Sequence, residues 1–482
     1  MRKNTKKIIL RIENRRFEKR LRRKEKRRDK RRLEHRLDLI VKKELGNDFS
    51  YINILKAWLP KNVKFLAFNN KSEFCVDDSI KSIKEVDYLS YMRGRAFQKP
   101  RTIKVPSDFS LISNPKETYS FFGALMQTLI LQSCSKLTID YEKCFSIELS
   151  TQVILDIIIG EFFIFYQKCN RHPVTASNLS SIGGKNITNP EVKKLLFSVG
   201  SPAIHLKQRI NIPGVIPYYL CMHDGETGTA LENSERKDID TTTLADYVLN
   251  SLKAMNKSLT PDKLNSLCTV IGEILINAEE HSTTKCRFSI GYFSPQSAMD
   301  RQCGIFRLAI LNFGETMYEK FKSPVCPNKN IVAKMKGMSS LYTQRKFFLP
   351  GQLEEETLWT LYALQEGVTS IDPQKYSKRG NGSIQFIDSF FNIKGPAGER
   401  DDISKMVIIS GNTGITFNGK YRITESIHGG EKYKYMTFNK SGNIFDKPDK
   451  KYVRRIEKYF PGTLISAEIL LNEGDLSDER GE

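Results

Sequence analysis

The sequence predicts an α/β protein in which helices pack on sheets around more than one hydrophobic core. Strand-like and helix-like segments alternate between residues 113 and 212, and again between residues 241 and 473. Of the 482 residues, 39% are hydrophobic, which is enough for packed cores and excludes a fibrous or fully disordered chain. At about 150 residues per domain, this length predicts about three domains.

The positive charge of the chain is concentrated at its N-terminus. The chain carries 76 Lys and Arg against 55 Asp and Glu, and its net charge is +21. Residues 1–45 hold 21 of the basic and 7 of the acidic side chains, so this segment contributes +14. Its composition favours a helix, but residues 22–32 include no apolar side chain that could pack against a core. We therefore predict a basic helical arm at residues 1–45.

This basic arm is predicted to bind DNA or RNA. Each Lys or Arg near a phosphate releases counterions and so adds salt-sensitive affinity that does not depend on base sequence. The candidate contacts are Arg15, Arg16, Arg20, Arg22, Arg23, Arg27, Arg28, Arg31 and Arg32. Two alternatives stay open, because basic blocks also form solvated tails or dock on acidic partner proteins.

The cysteine and hydrophobic patterns predict a cytoplasmic protein without a membrane span. The nine cysteines are odd in number and include no CxxC pair, which argues against a zinc ribbon and a secreted disulfide framework. The N-terminus leads into charge and lacks the apolar core of a signal peptide. The most apolar run, residues 153–166, contains Asp156 and Glu161 and is too short to cross a bilayer, so it predicts a buried helix.

Composition divides the chain between the arm and residue 240 into three segments. Residues 46–112 mix short apolar runs with prolines and are predicted to connect the arm to the body. Residues 113–221 predict a small α/β domain. Residues 222–240 are polar and rich in Gly, Glu and Asp, so they predict a linker.

Within the small α/β domain, residues 136–140 predict a strand and residues 150–168 a buried helix. Residues 189–199 predict another helix, because they open with Asn-Pro-Glu. This order of strand, turn, buried helix, loop and helix resembles the STAS-like modules of anti-sigma-factor antagonists. The resemblance implies a protein partner for this domain, and an unrelated α/β regulatory domain is the alternative.

The segment Leu264–His281 predicts an amphipathic helix, since its apolar residues recur at steps of three and four. Glu273, Asn277 and His281 follow each other at steps of four and form one polar row beside the apolar stripe. An amide oxygen can ligate Mg²⁺, and a carboxylate one turn earlier can orient or deprotonate a water molecule or a hydroxyl. The row indicates a metal–phosphate site, and an exposed helix face is the alternative.

Two glycine turns follow this helix. Residues 305–311 predict a buried strand that runs into Asn312, Gly314 and Thr316, and glycine at a strand exit lets the backbone approach a ligand. Further along, a basic Gly-Asn-Gly turn precedes a helix that we expect to start at Ser383 and to favour phosphate. The residues of this turn are Lys378, Arg379, Gly380, Asn381 and Gly382. A plain surface turn is the alternative for these residues. After them, the apolar runs at residues 406–410 and 463–471 predict two more strands.

Together these segments resemble the GHKL superfamily of gyrase, histidine kinase and MutL-type ATPases, which share the Bergerat fold. Residues 273–281 match the N-box, residues 312–316 the first glycine box, residues 379–382 the second, and residues 461–463 the entry to the closing strand. The resemblance covers residues 241–473 and implies an ATP-binding domain of the α+β sandwich type. A short acidic tail, residues 474–482, ends the chain.

The resemblance implies ATP and Mg²⁺ as cofactors and a role for each matched residue. Asn277 would coordinate the Mg²⁺ that bridges the phosphates, and Glu273 would act as the base or orient the attacking water. His281 would either contact the ligand or pack at the end of its helix. Residues expected near the adenine are Gly314 and Thr463, and residues expected in a lid over the phosphates are Gly380 and Gly382.

The sequence departs from the family at two positions of the first glycine box. The family carries an aspartate where this chain has Asn312, and a glycine where it has Thr316. An amide oxygen can still accept a hydrogen bond from the adenine amino group, but without charge the bond is weaker. These departures put adenine selectivity and affinity in question.

Three functions are compatible with the sequence. The first is an ATP-driven switch, in which closure of the lid changes the α/β domain or the basic arm and ATP is hydrolysed slowly. The second is a serine/threonine protein kinase of the anti-sigma type, in which Glu273 activates a substrate hydroxyl. The third is a nucleic-acid-binding regulator with a relic nucleotide pocket. We favour the first, and a homodimer is compatible with each.

Overall fold

The computed structural model describes residue 28 and residues 51–81, 99–131, 134–171, 181–204, 211–280, 282–298, 301–343, 353–370, 382–394, 403–428 and 431–472. The basic arm apart from Arg28, His281, residues 378–381 of the second glycine turn, and the acidic tail lie outside these ranges. The predictions made for those segments therefore stay predictions.

The described residues form an α/β fold, as the sequence predicts. The helices are α1 (Tyr51–Trp58), α2 (Lys61–Phe68), α3 (Asp77–Lys81), α4 (Pro115–Ile130), α5 (Leu149–Arg171), α6 (Pro190–Val199), α7 (Ala230–Lys253), α8 (Pro261–Glu280), α9 (Met317–Lys322), α10 (Lys329–Thr343), α11 (Glu355–Ala363) and α12 (Gly382–Lys394). The strands are β1 (Arg101–Lys104), β2 (Asp108–Phe109), β3 (Leu137–Asp140), β4 (Ser146–Ile147), β5 (Ile182–Lys185), β6 (Ile216–Asp224), β7 (Ser282–Ala298), β8 (Arg301–Gly314), β9 (Lys405–Phe417), β10 (Thr424–His428), β11 (Glu431–Tyr435) and β12 (Val453–Asn472).

Two larger sheets organise the described part of the chain. A five-stranded sheet has the order β6-β7-β8-β12-β9, and every neighbouring pair in it is antiparallel. A three-stranded parallel sheet has the order β1-β3-β5. Two short pairs, β2 with β4 and β10 with β11, lie beside them.

The five-stranded sheet is the middle layer of a three-layer structure, because both of its faces are buried. Successive side chains of a strand point to opposite faces. Accordingly, Ala309 and Leu311 of β8 belong to one hydrophobic core, which they share with helices α2, α4, α5 and α6. Leu308 and Ile310 belong to a second core, which they share with α7, α8 and α12. The segment before residue 216 therefore covers one face, and the helices after it cover the other.

Several predicted elements are confirmed, and each has a local cause. Asn189 caps α6, since its side-chain oxygen accepts hydrogen bonds from the backbone N–H groups of Glu191 and Val192, and Gly200 ends the helix in the left-handed conformation at φ 64°. Most of the apolar stripe of α8 is buried, as expected for an amphipathic helix. The strand predicted at residues 136–140 corresponds to β3, which starts one residue later, and the strands predicted at residues 305–311, 406–410 and 463–471 lie within β8, β9 and β12.

Two predicted boundaries are wrong. The boundary at residue 112 separates β1 from β3, although these strands pair in parallel within one sheet. The predicted linker 222–240 contains the end of β6 and the start of α7, and β6 is the edge strand of the five-stranded sheet. Polar composition misled the prediction, because α7 exposes most of its first three turns. The capping box of Thr229 and Glu232 marks the true start of this helix.

The predicted buried helix is confirmed as a core helix. Residues Leu149–Gln167 of α5 are long and apolar enough to cross a membrane, but 83% of that stretch is buried inside the protein. This burial makes α5 a core helix of the layer that covers one face of the five-stranded sheet. Among the described residues, the cysteines whose side chains are placed are all free thiols.

Candidate functional site

A cavity of about 640 Å³ lies between the five-stranded sheet and helices α7, α8, α9 and α12. Segments that are far apart in the chain line this cavity. The lining residues that the sequence analysis selected are Glu273, Asn277, Asn312, Thr316 and Thr463. Ser383, the second residue of α12, lines it as well, so the helix that follows the second glycine turn reaches the same cavity.

A row of three isoleucines across the sheet forms the floor of the cavity. Ile310 of β8 is in register with Ile465 of β12, and Ile465 is in register with Ile408 of β9. All three line the cavity, and none is more than 8% exposed. This flat apolar surface can support the face of a planar ring.

A polar row lies next to the isoleucine row on the same face. Asn312 is in register with Thr463, and Thr463 is in register with Ser410. Alternate residues of a strand share one face, so this row lies one side-chain spacing from the isoleucines. A ring on the isoleucine floor would therefore have its edge at the polar row.

Asn312 joins α8 to β12. Its Nδ2 donates to the carbonyl oxygen of Ala278 at 2.5 Å, and its Oδ1 accepts from the backbone N–H of Thr463 at 3.0 Å. The residue is only 1% exposed. Gly462, which precedes Thr463 on β12, has φ 146°, and a Cβ there would lie 2.1 Å from the carbonyl oxygen of Asn312. The glycine before Thr463 is thus explained by this close approach of two strands.

The Thr463 hydroxyl is the more accessible member of the polar row, since Thr463 is half-buried and Ser410 is fully buried. The two hydroxyl oxygens lie 3.1 Å apart. Ser410 Oγ also donates to the carbonyl oxygen of Gly462 at 3.2 Å and accepts from the backbone N–H of Met317 at 3.0 Å. Either hydroxyl can donate in the bond between them. When Ser410 gives its single proton to the carbonyl oxygen of Gly462, it accepts from Thr463, and Thr463 Oγ1 is then left as a hydrogen-bond acceptor.

The predicted polar row of α8 lies along one wall of the cavity. Glu273 and Asn277 are half-buried and line it one helical turn apart. Within the described residues, no group of three or more His, Cys, Asp or Glu side chains could hold a metal ion. A cation in this cavity would therefore take most of its ligands from a bound molecule and from water.

Carboxylates outnumber ammonium groups on the described walls of the cavity. The charged lining residues are Lys237, Asp238, Glu273, Glu280, Glu315 and Lys320. Burial lowers the pKa of Lys320, and the nearby carboxylates of Glu280 and Glu315 oppose that shift. A polyanion would meet net negative charge here unless a cation accompanied it.

Thr316 has a structural role that the sequence analysis missed. It caps α9 in a capping box with Glu319, whose Oε2 accepts from the backbone N–H of Thr316 at 3.0 Å. Glu319 Oε1 also forms an ion pair with Lys71 and accepts from the Tyr459 hydroxyl at 3.0 Å. Burial raises the pKa of Glu319, but the bonds to Lys71 and to the Thr316 N–H outweigh this effect and hold the pKa below its usual value.

A buried polar cluster beside the cavity was also missed. His223 Nδ1 lies 3.4 Å from Asp240 Oδ2, and His223 Nε2 lies 3.3 Å from Glu279 Oε2. Arg287 bonds Asp240 at 2.7 Å, and Lys237 bridges Glu279 at 3.1 Å and reaches the cavity wall. Burial and then the charge of Arg287 lower the pKa of His223 below its usual 6.5. The members lie on four different elements, so no local spacing in the sequence marks them.

The remaining predicted residues divide into two groups. Gly314 ends β8 as a buried residue, and Gly382 begins α12. The other predicted ligand contacts, namely His281 and residues 378–381, lie outside the described ranges. Comparison with protein-family models, with curated proteins and with solved structures returns no match.

Proposed function

We propose that this protein binds Mg²⁺–ATP in the cavity and acts as a nucleotide-controlled switch of the GHKL type. The meeting of α8, β8, β12 and α12 around one cavity of about 640 Å³ is the observation that carries the proposal. Its volume lies in the range of small-molecule sites, roughly 300–1,000 Å³. The four segments are the ones in which the sequence resembles that superfamily.

The cavity offers a suitable surface to each part of the nucleotide. The isoleucine row can support the adenine ring, and the polar row can meet the edge of the base. The first turn of α12 presents backbone N–H groups and a positive helix end, which favour phosphate. Lys237 and Lys320 add positive charge at the walls.

Asn277 would supply the protein ligand to Mg²⁺, since its amide oxygen suits a hard cation that keeps phosphate oxygens and water as its other ligands. Four carboxylates and two lysines line the described cavity, so binding of the triphosphate is expected to require the divalent ion. Glu273, one turn earlier, would orient or deprotonate the attacking water. Slow hydrolysis is the expected outcome.

The switch would connect the nucleotide to the layer on the other face of the sheet. Glu319 contacts the cavity-lining residue Thr316 on one side and Lys71 of the N-terminal layer on the other. A ligand shifts such an arrangement only if it binds one conformation better than the other. The proposal therefore requires that ATP and ADP favour different positions of α9.

The proposal extends to the parts of the chain that lie outside the cavity. The basic arm would bind DNA, RNA or an acidic protein and respond to the nucleotide, and the STAS-like segment would bind a protein partner. The arm's +14 charge supports the first of these, because it predicts salt-sensitive binding. Removing residues 1–45 should then abolish nucleic-acid binding. We propose a cytoplasmic location and allow for a homodimer.

Calorimetric titration of the full chain with ATP, with and without Mg²⁺, tests the binding site. The Asn277→Ala variant should lose Mg²⁺-dependent binding while it stays folded. The matched control is Asn265→Ala, which changes an exposed asparagine on the same helix that does not line the cavity. Unchanged ATP affinity in Asn277→Ala would remove the proposed site.

Incubation with γ-labelled ATP then distinguishes the three functions. Release of free phosphate supports the switch, transfer of label to protein supports the kinase, and retention of intact ATP supports the relic pocket. The Glu273→Gln variant should still bind ATP but react ~10²–10⁴-fold more slowly, the usual range for a positioned acid–base group. Full turnover in this variant would exclude Glu273 from the chemical step.

A further inference from the structure

The side chains that form the floor of the cavity are all uncharged. The floor consists of the isoleucine row, Ile310, Ile465 and Ile408, and of Asn312 and Thr463 from the polar row. Ser410, the third member of the polar row, is fully buried and does not line the cavity. A nucleobase above these rows would meet only neutral groups on the floor, whereas the charged side chains belong to the walls. Its recognition therefore depends on which of those groups still has an unused donor or acceptor.

Asn312 is poorly placed to read the base. Its amide is held in one orientation, because Nδ2 donates to Ala278 and Oδ1 accepts from the Thr463 N–H. Its exposed fraction of 1% leaves little of the amide within reach of a ligand. Asn312 is thus a positioning residue that fixes the end of α8 against β12.

Thr463 is the polar side chain of the floor that a ligand can reach. In the arrangement in which Ser410 gives its own proton to the carbonyl oxygen of Gly462, the Thr463 hydroxyl donates to Ser410. Thr463 Oγ1 then accepts one hydrogen bond from the ligand. Adenine offers an N–H at its 6-amino group, and a 6-oxopurine offers an N–H at ring nitrogen N1. Both bases satisfy the same acceptor.

We infer that the cavity accepts 6-oxopurine nucleotides, of the inosine and guanosine type, as well as 6-aminopurine nucleotides, with Thr463 as the residue that reads the base. This inference rests on the proposed nucleotide site. An anionic acceptor would favour the amino group of adenine and repel the carbonyl oxygen of a 6-oxopurine. A hydroxyl acceptor beside a neutral amide lacks that source of discrimination.

Three triphosphates, bound as Mg²⁺ complexes by the full chain, test the inference: ATP, ITP and purine riboside triphosphate. The last has no N–H donor on this edge of the base. ATP and ITP should bind with dissociation constants within about tenfold of each other, the equivalent of about one net hydrogen bond. Purine riboside triphosphate should bind about three- to tenfold more weakly than both. ITP binding more than about 100-fold weaker than ATP binding would overturn the inference.

The Thr463→Val variant identifies the residue responsible. It keeps the β-branched shape that suits a strand and removes the hydroxyl, so ATP, ITP and purine riboside triphosphate should bind with equal affinity. Thr463→Ser is the matched control and should keep the difference. A Thr463→Val variant that keeps the wild-type ranking excludes Thr463 as the reading residue. If no triphosphate binds the wild type, the proposed function itself fails, and this result differs from every outcome above.

Discussion

Replacement of Asn312 by aspartate tests whether this residue holds the cavity together. The change Asn312→Asp is nearly isosteric and introduces the residue type that the GHKL superfamily, which the sequence resembles, carries at the matching position. In this chain, however, the Nδ2 of Asn312 donates to the carbonyl oxygen of Ala278 at 2.5 Å. A carboxylate oxygen in its place would face another oxygen and lose a donor. We therefore expect the substitution to destabilise the protein.

The magnitude follows from the burial of the site. The lost hydrogen bond costs about 0.5–1.5 kcal/mol, and an uncompensated buried charge typically costs about 3–5 kcal/mol. The two effects together amount to about 3.5–6.5 kcal/mol. Because one carboxylate oxygen would still accept from the Thr463 N–H, we expect a loss at the lower end of this range, about 3.5–5 kcal/mol. This loss corresponds to a fall in melting temperature of roughly 4–10 °C, because the entropy of unfolding grows with the size of the cooperative unit.

The sign of the pH dependence makes this prediction sharper. The folded environment favours the neutral carboxyl group, whose O–H can donate to Ala278, so the pKa of the introduced group should rise above about 3.9, its value in the unfolded chain. The folded variant then binds the proton more readily than the unfolded chain. The destabilisation should be complete above the raised pKa and shrink as the pH falls toward about 4.

Thermal unfolding at about pH 7.5 and about pH 5 provides the assay. Asn265→Asp is the control, since it adds the same charge to an exposed position of α8. The reasoning is refuted if Asn312→Asp melts with the control at about pH 7.5. It is also refuted if the difference from wild type is the same at both pH values.

Three further predictions concern contacts away from the cavity floor. Lys71→Met removes the ion pair with Glu319 and should change the ATP affinity several-fold, whereas the control Lys458→Met, which removes the pair with Glu73, should not. Equal ATP affinities of the two variants in a calorimetric titration would contradict a coupling between Lys71 and the cavity. Because the pKa of buried His223 is lowered below 6.5, its contribution to stability is present above that pH and is lost as pH falls toward the folded pKa. The His223→Gln variant should therefore show a flatter stability–pH profile in denaturant titrations between about pH 7 and pH 5. Asn62→Leu should lower the free energy of unfolding by about 1–3 kcal/mol, because it strips a 2.6 Å hydrogen bond from the buried carboxylate of Glu161; an unchanged denaturant midpoint would contradict this.

Local patterns in the sequence were sufficient to predict five of the elements that line the cavity, namely α8, β8, β9, β12 and α12, but not α7 or α9. The stripe of α8 follows helical periodicity, and the apolar runs of β8, β9 and β12 have the length and flanking turns of buried strands. The helix predicted to start at Ser383 begins at Gly382, one residue earlier. Each of these signals lies within about twenty residues, which is the range over which periodicity and capping act.

Contacts between distant segments could not be predicted in this way. The bonds of Asn312 to Ala278 and Thr463 join residues 34 and 151 positions away in the sequence. The buried cluster of His223 depends on the antiparallel pairing of β6 with β7, which places it opposite Arg287. Polar residues in such clusters look like surface residues in a sequence, since only tertiary structure buries them. Residues 222–240 were mistaken for a linker for this reason as well as for the exposed first turns of α7.

The arrangement of the two layers determines where a nucleotide signal could pass between them. The cavity lies on one face of the five-stranded sheet, and the N-terminal layer covers the other face. A path through the middle of the sheet would require central strands β8 and β12 to shift, and both are hydrogen-bonded to neighbours on two sides. A short helix at the end of β8 can move at much lower cost, because α9 has only six residues. Glu319 of this helix contacts Lys71 and Tyr459 as well as Thr316. We therefore expect coupling to run around the end of the sheet through Glu319.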